Sequence, residues 1–148
     1  MTFDQLGLSS ALLRAIEKKG YSEPSPIQAK AIPAVLSGKD VMAAAQTGTG
    51  KTAAFTLPIL QRLNASAPIK PHRIRALILT PTRELAAQVA QSVSTYGLHT
   101  PLKSAVVFGG VKINSQIAQL RRGVDILIAT PGRLLDLHGQ GEVDFGEL

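Results

Sequence analysis

Four short apolar runs punctuate the chain: VMAAA (41–45), ALILT (76–80), SAVVF (104–108) and DILIAT (125–130). They are near-continuous where a half-exposed strand would alternate, the pattern of strands buried on both faces. The segments between them have helical spacing. In TRELAAQVAQSVSTYG (82–97), Leu85, Val89, Val93 and Tyr96 share one face, with Thr82 placed to cap the start and Gly97 the end. Such alternation predicts an α/β domain: a three-layer parallel sheet with helices on both faces. Upstream, Ser9 or Ser10 caps a helix with Leu12, Leu13 and Ile16 on its apolar face, ended by Gly20. After the turn YSEPSP, Pro26 opens a second helix through Ile27, Ala31 and Val35 that stops near Gly38. The organisation expected is a helical segment over 1–38 and the α/β part over 39–148. Pro58 should kink or shorten the helix that follows residue 52. NASAPIKPH (64–72) reads as a polar surface connection.

Composition narrows this only in places. The 148 residues are 45% hydrophobic and 4% aromatic, so the core is aliphatic. There is no cysteine, which excludes disulfides and thiolate metal sites. His72, His99 and His138 are isolated, which disfavours histidine metal chemistry. No run approaches the ~18 apolar residues of a membrane span, and the expected setting is cytoplasmic, with no membrane partner. Sixteen Lys and Arg against ten Asp and Glu give a net charge of +6, favourable for polyanions. The charges are scattered, so they leave nucleic-acid binding undecided.

Sharper chemistry begins at AQTGTGKT (45–52), which matches the P-loop pattern except for Ala45 in place of the first glycine. Ala45, Gln46, Thr47, Gly48, Thr49 and Gly50 form a loop between an expected strand and an expected helix. Gly48 and Gly50 permit positive φ and close approach to a phosphate, so that backbone N–H groups and the helix N-terminus converge on one anion. Lys51 supplies charge for the β- and γ-phosphates of a nucleotide, and the Thr52 hydroxyl can ligate Mg²⁺. No Asn-Lys-x-Asp quartet is present, which disfavours GTP. In GYSEPSPIQ (20–28), Tyr21 offers a stacking surface and Gln28 an amide able to pair with adenine. Taken alone, Gln28 reads as an ordinary exposed polar residue on a helix, and its neighbours change that reading.

Together these motifs resemble those of a DEAD-box RNA helicase, in the front part of its first RecA-like domain, with wording closest to bacterial RhlE-type members. GYSEPSPIQ is similar to the Q motif, with Phe3 placed like its upstream aromatic, and AQTGTGKT is similar to motif I, where the family favours alanine at the position of Ala45. PTRELA (81–86) looks like motif Ia, Gly109 and Gly110 like the GG motif, and TPGRL (130–134) like motif Ib. The resemblance implies ATP and Mg²⁺ as cofactors, with Lys51 and Thr52 in catalysis. It also implies that Pro81, Thr82, Arg83, Gly109, Gly110, Thr130, Pro131, Gly132 and Arg133 grip the backbone of single-stranded or short duplex RNA. The residues suit that role from below as well. Each group follows a predicted strand, where ligands gather in open parallel sheets, and combines hydroxyls, glycines and guanidinium groups suited to phosphate oxygens.

Phosphoryl transfer to water also needs a metal held from a second side and an oriented water. The acids after Thr52 are Glu84, Asp125, Asp136, Glu142, Asp144 and Glu147, and none follows an apolar run; Asp125 precedes one. The family's D-E-A-D motif would come shortly after VDFGEL, and the sequence stops at Leu148. The SAT motif and a second RecA-like domain with its arginine finger would lie further on. The expectation is therefore an incomplete RecA-like P-loop domain that binds ATP and RNA without being a competent ATPase by itself. It would partner the second domain, and exposed apolar edges would invite self-association. The alternatives are a non-catalytic nucleotide-binding or interaction module, and another P-loop enzyme such as a small-molecule kinase or a DNA motor.

Overall fold

The computed structural model describes every residue except 47, 49 and 67–72. The expectations for Thr47, Thr49 and most of the 64–72 connection lie outside the described residues. Contacts group the chain into two units, Met1–Ser66 with Ser92–Pro101, and Ala67–Gln91 with Leu102–Leu148.

The first unit is helical. A 3-10 turn at Phe3–Leu6 precedes α1 (Ser10–Lys19), α2 (Pro26–Leu36) and α3 (Lys51–Asn64). Helix α1 buries Leu12, Ala15 and Ile16 and ends at Gly20, whose φ of 94° lets its N–H turn back to the Glu17 carbonyl at 2.9 Å. The N-terminus of α1 is anchored from α3, where Gln61 Oε1 accepts the Ser9 N–H at 2.7 Å. Helix α2 starts as expected, with Ser25 at the cap and Pro26 in the first turn, and it packs chiefly on α3.

Two expectations fail here. Pro58 does not end its helix early: α3 continues to Asn64 with Pro58 inside it and fully buried. A helix-interior proline costs about 3 kcal/mol, and the burial of Leu57, Pro58 and Leu60 together offsets a loss of that size. Residues 41–45 are not a strand. They carry no sheet pairing, and Val41 and Met42 are exposed. Three of the five are alanines, which bury little area and have poor strand propensity.

The second unit holds the sheet. Strands β1 (Ala76–Leu79), β2 (Ser104–Val107) and β3 (Ile126–Ala129) are all parallel in the order β1-β3-β2. Helices α4 (Arg83–Tyr96), α5 (Ile113–Arg121) and α6 (Pro131–Gly139) follow β1, β2 and β3 respectively. Every residue of the central β3 is fully buried, as its unbroken apolar run requires. Leu127 and Ala129 join Ala105 and Val107 of β2, Leu120 of α5 and Leu137 of α6 in one core cluster. At the amino edge Asp125 ties the strand starts together: Oδ1 accepts from Arg75 Nη1 at 3.2 Å and Oδ2 from the Lys103 N–H at 2.9 Å. Asp125 therefore has a structural task at the edge opposite the motif loops.

Candidate nucleotide and nucleic-acid sites

The strand register decides where the motif loops begin. Ala76, Ile126 and Ser104 are level across the sheet, and so are Leu79, Ala129 and Val107. The ladder continues one step further, with the Thr80 N–H on the Ala129 carbonyl at 3.0 Å and the Thr130 N–H on the Val107 carbonyl at 3.1 Å. Residues 81–83, 109–110 and 130–133 consequently emerge side by side at the carboxyl edge, the expected ligand edge of an open parallel sheet. Thr82 caps α4 through its hydroxyl, which accepts the Leu85 N–H at 3.2 Å. Helix α6 starts at Pro131 with Thr130 at the cap position and no side-chain cap bond, leaving first-turn N–H groups available to an anion.

The two motif arginines behave differently. Arg83 is exposed, with its guanidinium carbon over the Phe108 ring, 4.9 Å from its centroid. Arg133 is half-buried and turned inward: Nη1 donates to Gln116 Oε1 at 2.8 Å and Nη2 to the Val111 carbonyl at 2.9 Å. Gln116 in turn donates through Nε2 to the Phe108 carbonyl at 3.1 Å. Gly109 has open space around it, whereas a Cβ at Gly110, where φ is 84°, would lie 3.1 Å from Arg83 Nη1. Phe108 and Gln116 escaped the sequence reading. The signal for Gln116 was present: it falls on the apolar stripe of Ile113, Ile117 and Leu120, where a polar residue stands out.

In the first unit, Gly48 and Gly50 have φ of 86° and 85°, and Gly50 is the N-cap of α3 with no side-chain cap bond. Positive φ at both glycines beside an uncapped helix start is a donor set fit for a phosphate. Lys51 is exposed at that start and Thr52 is half-buried one residue on; Ala45 is half-buried and Gln46 exposed. Tyr21 is exposed, but Phe3 is only 5% exposed, so little of its ring is open to a base.

Gln28 is 7% exposed and both ends of its amide are engaged. Oε1 accepts the Ser25 N–H at 2.9 Å, completing a capping box on α2, and Nε2 donates to the Gly50 carbonyl at 3.2 Å. A Cβ at Gly50 would collide with that Nε2. The exposed-polar alternative for Gln28 is thereby overturned. The side chain links α2 to the loop before α3, and its second N–H and spare oxygen lone pair are the capacity left for another partner.

Residues 25–148 match the DEAD/DEAH box helicase family model. The chain is similar to the DEAD-box ATP-dependent RNA helicase RhpA of Helicobacter pylori, with 49% identity over 91% of this chain and 26% of that protein. It is also 46% identical to the ATP-dependent RNA helicase DeaD of Escherichia coli, over 99% of this chain and 23% of that one. Among solved structures, a DEAD box protein from the hyperthermophile Methanococcus jannaschii superposes with a TM-score of 0.90 at 40% identity, covering 100% of this chain and 39% of that one. The chain thus spans about a quarter of the length of the curated relatives it matches. Motif order, fold and identity agree, and this chain belongs to the DEAD/DEAH box helicase family.

Proposed function

We propose that the chain supplies ATP- and RNA-binding surfaces to an ATP-dependent RNA helicase, in which ATP hydrolysis drives separation of short RNA duplexes. The observation that carries this reading is the alignment of three phosphate-type loops at one edge of a registered parallel sheet. Hydroxyls, backbone amides and a guanidinium at that edge suit sugar and phosphate oxygens, which carry no sequence information. Pro81, Thr82, Arg83, Gly109, Gly110, Thr130, Pro131 and Gly132 form this face, with Arg133 behind it.

On the first unit, Lys51 and the first-turn amides of α3 receive the triphosphate, and Ala45, Gln46, Gly48 and Gly50 shape the loop. Tyr21 and Gln28 take the adenine side, with Phe3 packing the segment that carries them. The Thr52 hydroxyl would hold Mg²⁺, which when bound neutralises phosphate charge. A second RecA-like domain completes the proposed machine, and the cytoplasm is its proposed setting.

Binding titrations test this. A fluorescent ATP analogue should bind the chain and lose at least about tenfold in affinity with Lys51→Ala, the removal of one charge-assisted contact. Arg83→Ala should weaken oligouridylate and oligoadenylate equally. Equal affinity for GTP, or preference for deoxyribose strands, would contradict the reading.

One observation favours a second reading, a non-catalytic nucleotide-binding module. Asp125 is committed to Arg75 and Lys103 at the amino edge, so it is not placed to hold a metal at the loops. The 148-residue polypeptide should accordingly bind ATP without sustained turnover. Mg²⁺-dependent hydrolysis abolished by Lys51→Ala would contradict that.

A further inference from the structure

We infer that Gln116 is a positioning residue for RNA, and that Arg133 acts through it and not by pairing with a phosphate; this rests on the RNA-binding reading above. Gln116 is 6% exposed, on the inward stripe of α5. Its amide is held from both sides, accepting from Arg133 Nη1 at 2.8 Å and donating to the Phe108 carbonyl at 3.1 Å. Arg133 also reaches the Val111 carbonyl at 2.9 Å. The two bonds to main-chain carbonyls fall at either end of Phe108-Gly109-Gly110-Val111. This loop contains two glycines, one at φ 84°, and would otherwise sample many conformations. Arg83 bears on it from outside through the Phe108 ring. The relay therefore fixes the loop's ends and leaves Gly109 open, with space around it for a close approach to the RNA backbone.

An arginine with two of its donors directed at a buried amide and a carbonyl is poorly placed to neutralise a phosphate. A phosphate-pairing arginine adds about 0.7 to the slope of log K against log salt on a single strand, whereas a positioning arginine lowers affinity and leaves the slope alone. The test is a salt titration of fluorescein-labelled oligouridylate on the 148-residue chain and on Gln116→Met, Arg133→Met and the double variant, each checked by thermal melt. Losing one buried bonded pair should weaken binding about tenfold in either single variant. The double variant should be little worse than the singles, because both break the same relay. The slopes should match wild type, and amide exchange at residues 109–111 should rise in both single variants. In Gln116→Glu, which keeps an acceptor for Arg133 but faces the Phe108 carbonyl with a carboxylate, loop exchange should rise as well.

Wild-type affinity with unchanged loop exchange in Gln116→Met overturns the inference, and so does a slope reduced by about 0.7 in Arg133→Met. A wild-type chain that binds no oligouridylate overturns the functional reading itself, and loop exchange in Gln116→Met then decides the relay alone. If Gln116→Met does not fold, the wild-type protein still answers by NMR. Slowly exchanging Gln116 amide protons and separate Arg133 Nη signals support the relay, and averaged signals overturn it.

Discussion

In the second unit the motif loops begin where three strands stop in register, and the central strand is buried on every side. In the first unit residues 41–45 carry no ladder and leave Val41 and Met42 exposed, and among the described residues Gly50, at the start of α3, accepts from the Gln28 amide. One proposed phosphate site thus takes its geometry from a sheet, the other, among the described residues, from the conformations of Gly48 and Gly50 and a tether from Gln28. The sheet-borne loops should fail together with the core, and the loop after β2 also with its Gln116–Arg133 relay. The tethered loop should fail at single residues while the core stays intact.

The largest expected effect is on the sheet. Leu127→Ala removes a fully buried side chain from β3 and should cost about 2–5 kcal/mol, read as a lower urea midpoint together with loss of RNA binding. Next is the tether. Gly50→Ala puts a Cβ at φ 85°, which costs about 1–2 kcal/mol, and also displaces Gln28. ATP-analogue affinity should then fall at least about tenfold. Gly48→Ala carries the same strain in open space and should be milder. Gln28→Ala removes the cap and the tether together and should cost about 1 kcal/mol of stability, with weaker nucleotide binding as the specific sign. Equal nucleotide affinity in Gly50→Ala and wild type would erase the contrast between the two regions.

A pH effect belongs to the first unit. Burial, with a smaller contribution from Tyr21, pushes the Tyr96 phenol up to about 12 from 10.0. Because the folded state holds the proton more tightly, this contribution is intact below pH 10 and is lost as pH rises from there towards 12. Tyr96→Phe should flatten the alkaline limb of the stability curve over that window. The smallest expected effect is at the unpaired stretch: Val41→Ser should change stability by less than about 0.5 kcal/mol, where a buried strand would lose far more.

What the sequence disclosed tracks which forces a pattern can express. Strands β1, β2 and β3 were legible within a residue, but the burial on both faces expected of all of them holds only for β3: Leu79 of β1 is exposed and β2 alternates between buried and half-buried positions. VMAAA has the same apolar composition but little area, so composition there misreported burial. The early helix end expected at Pro58 failed because a local backbone penalty was weighed without the packing that offsets it. The positions of Arg83 and Arg133 were expected together, yet a sequence cannot separate a guanidinium lying over Phe108 from one bonded to Gln116 and the Val111 carbonyl. Gln28 shows the same limit. Its residue type suggested a hydrogen-bonding partner, and only the fold reveals that Ser25 and Gly50 already occupy both ends of the amide.

The central claim is that two regions of one short chain receive two different phosphate ligands. Amide spectra of the ¹⁵N-labelled chain, titrated separately with Mg²⁺-ATP and with oligouridylate, test it most directly. The account predicts that ATP shifts the amides of Gly48 and of residues 50–54, while oligouridylate shifts those of 81–83, 109–111 and 130–133. Shifts from ATP confined to the sheet edge, or from oligouridylate confined to the start of α3, would contradict it, as would no shift in either place.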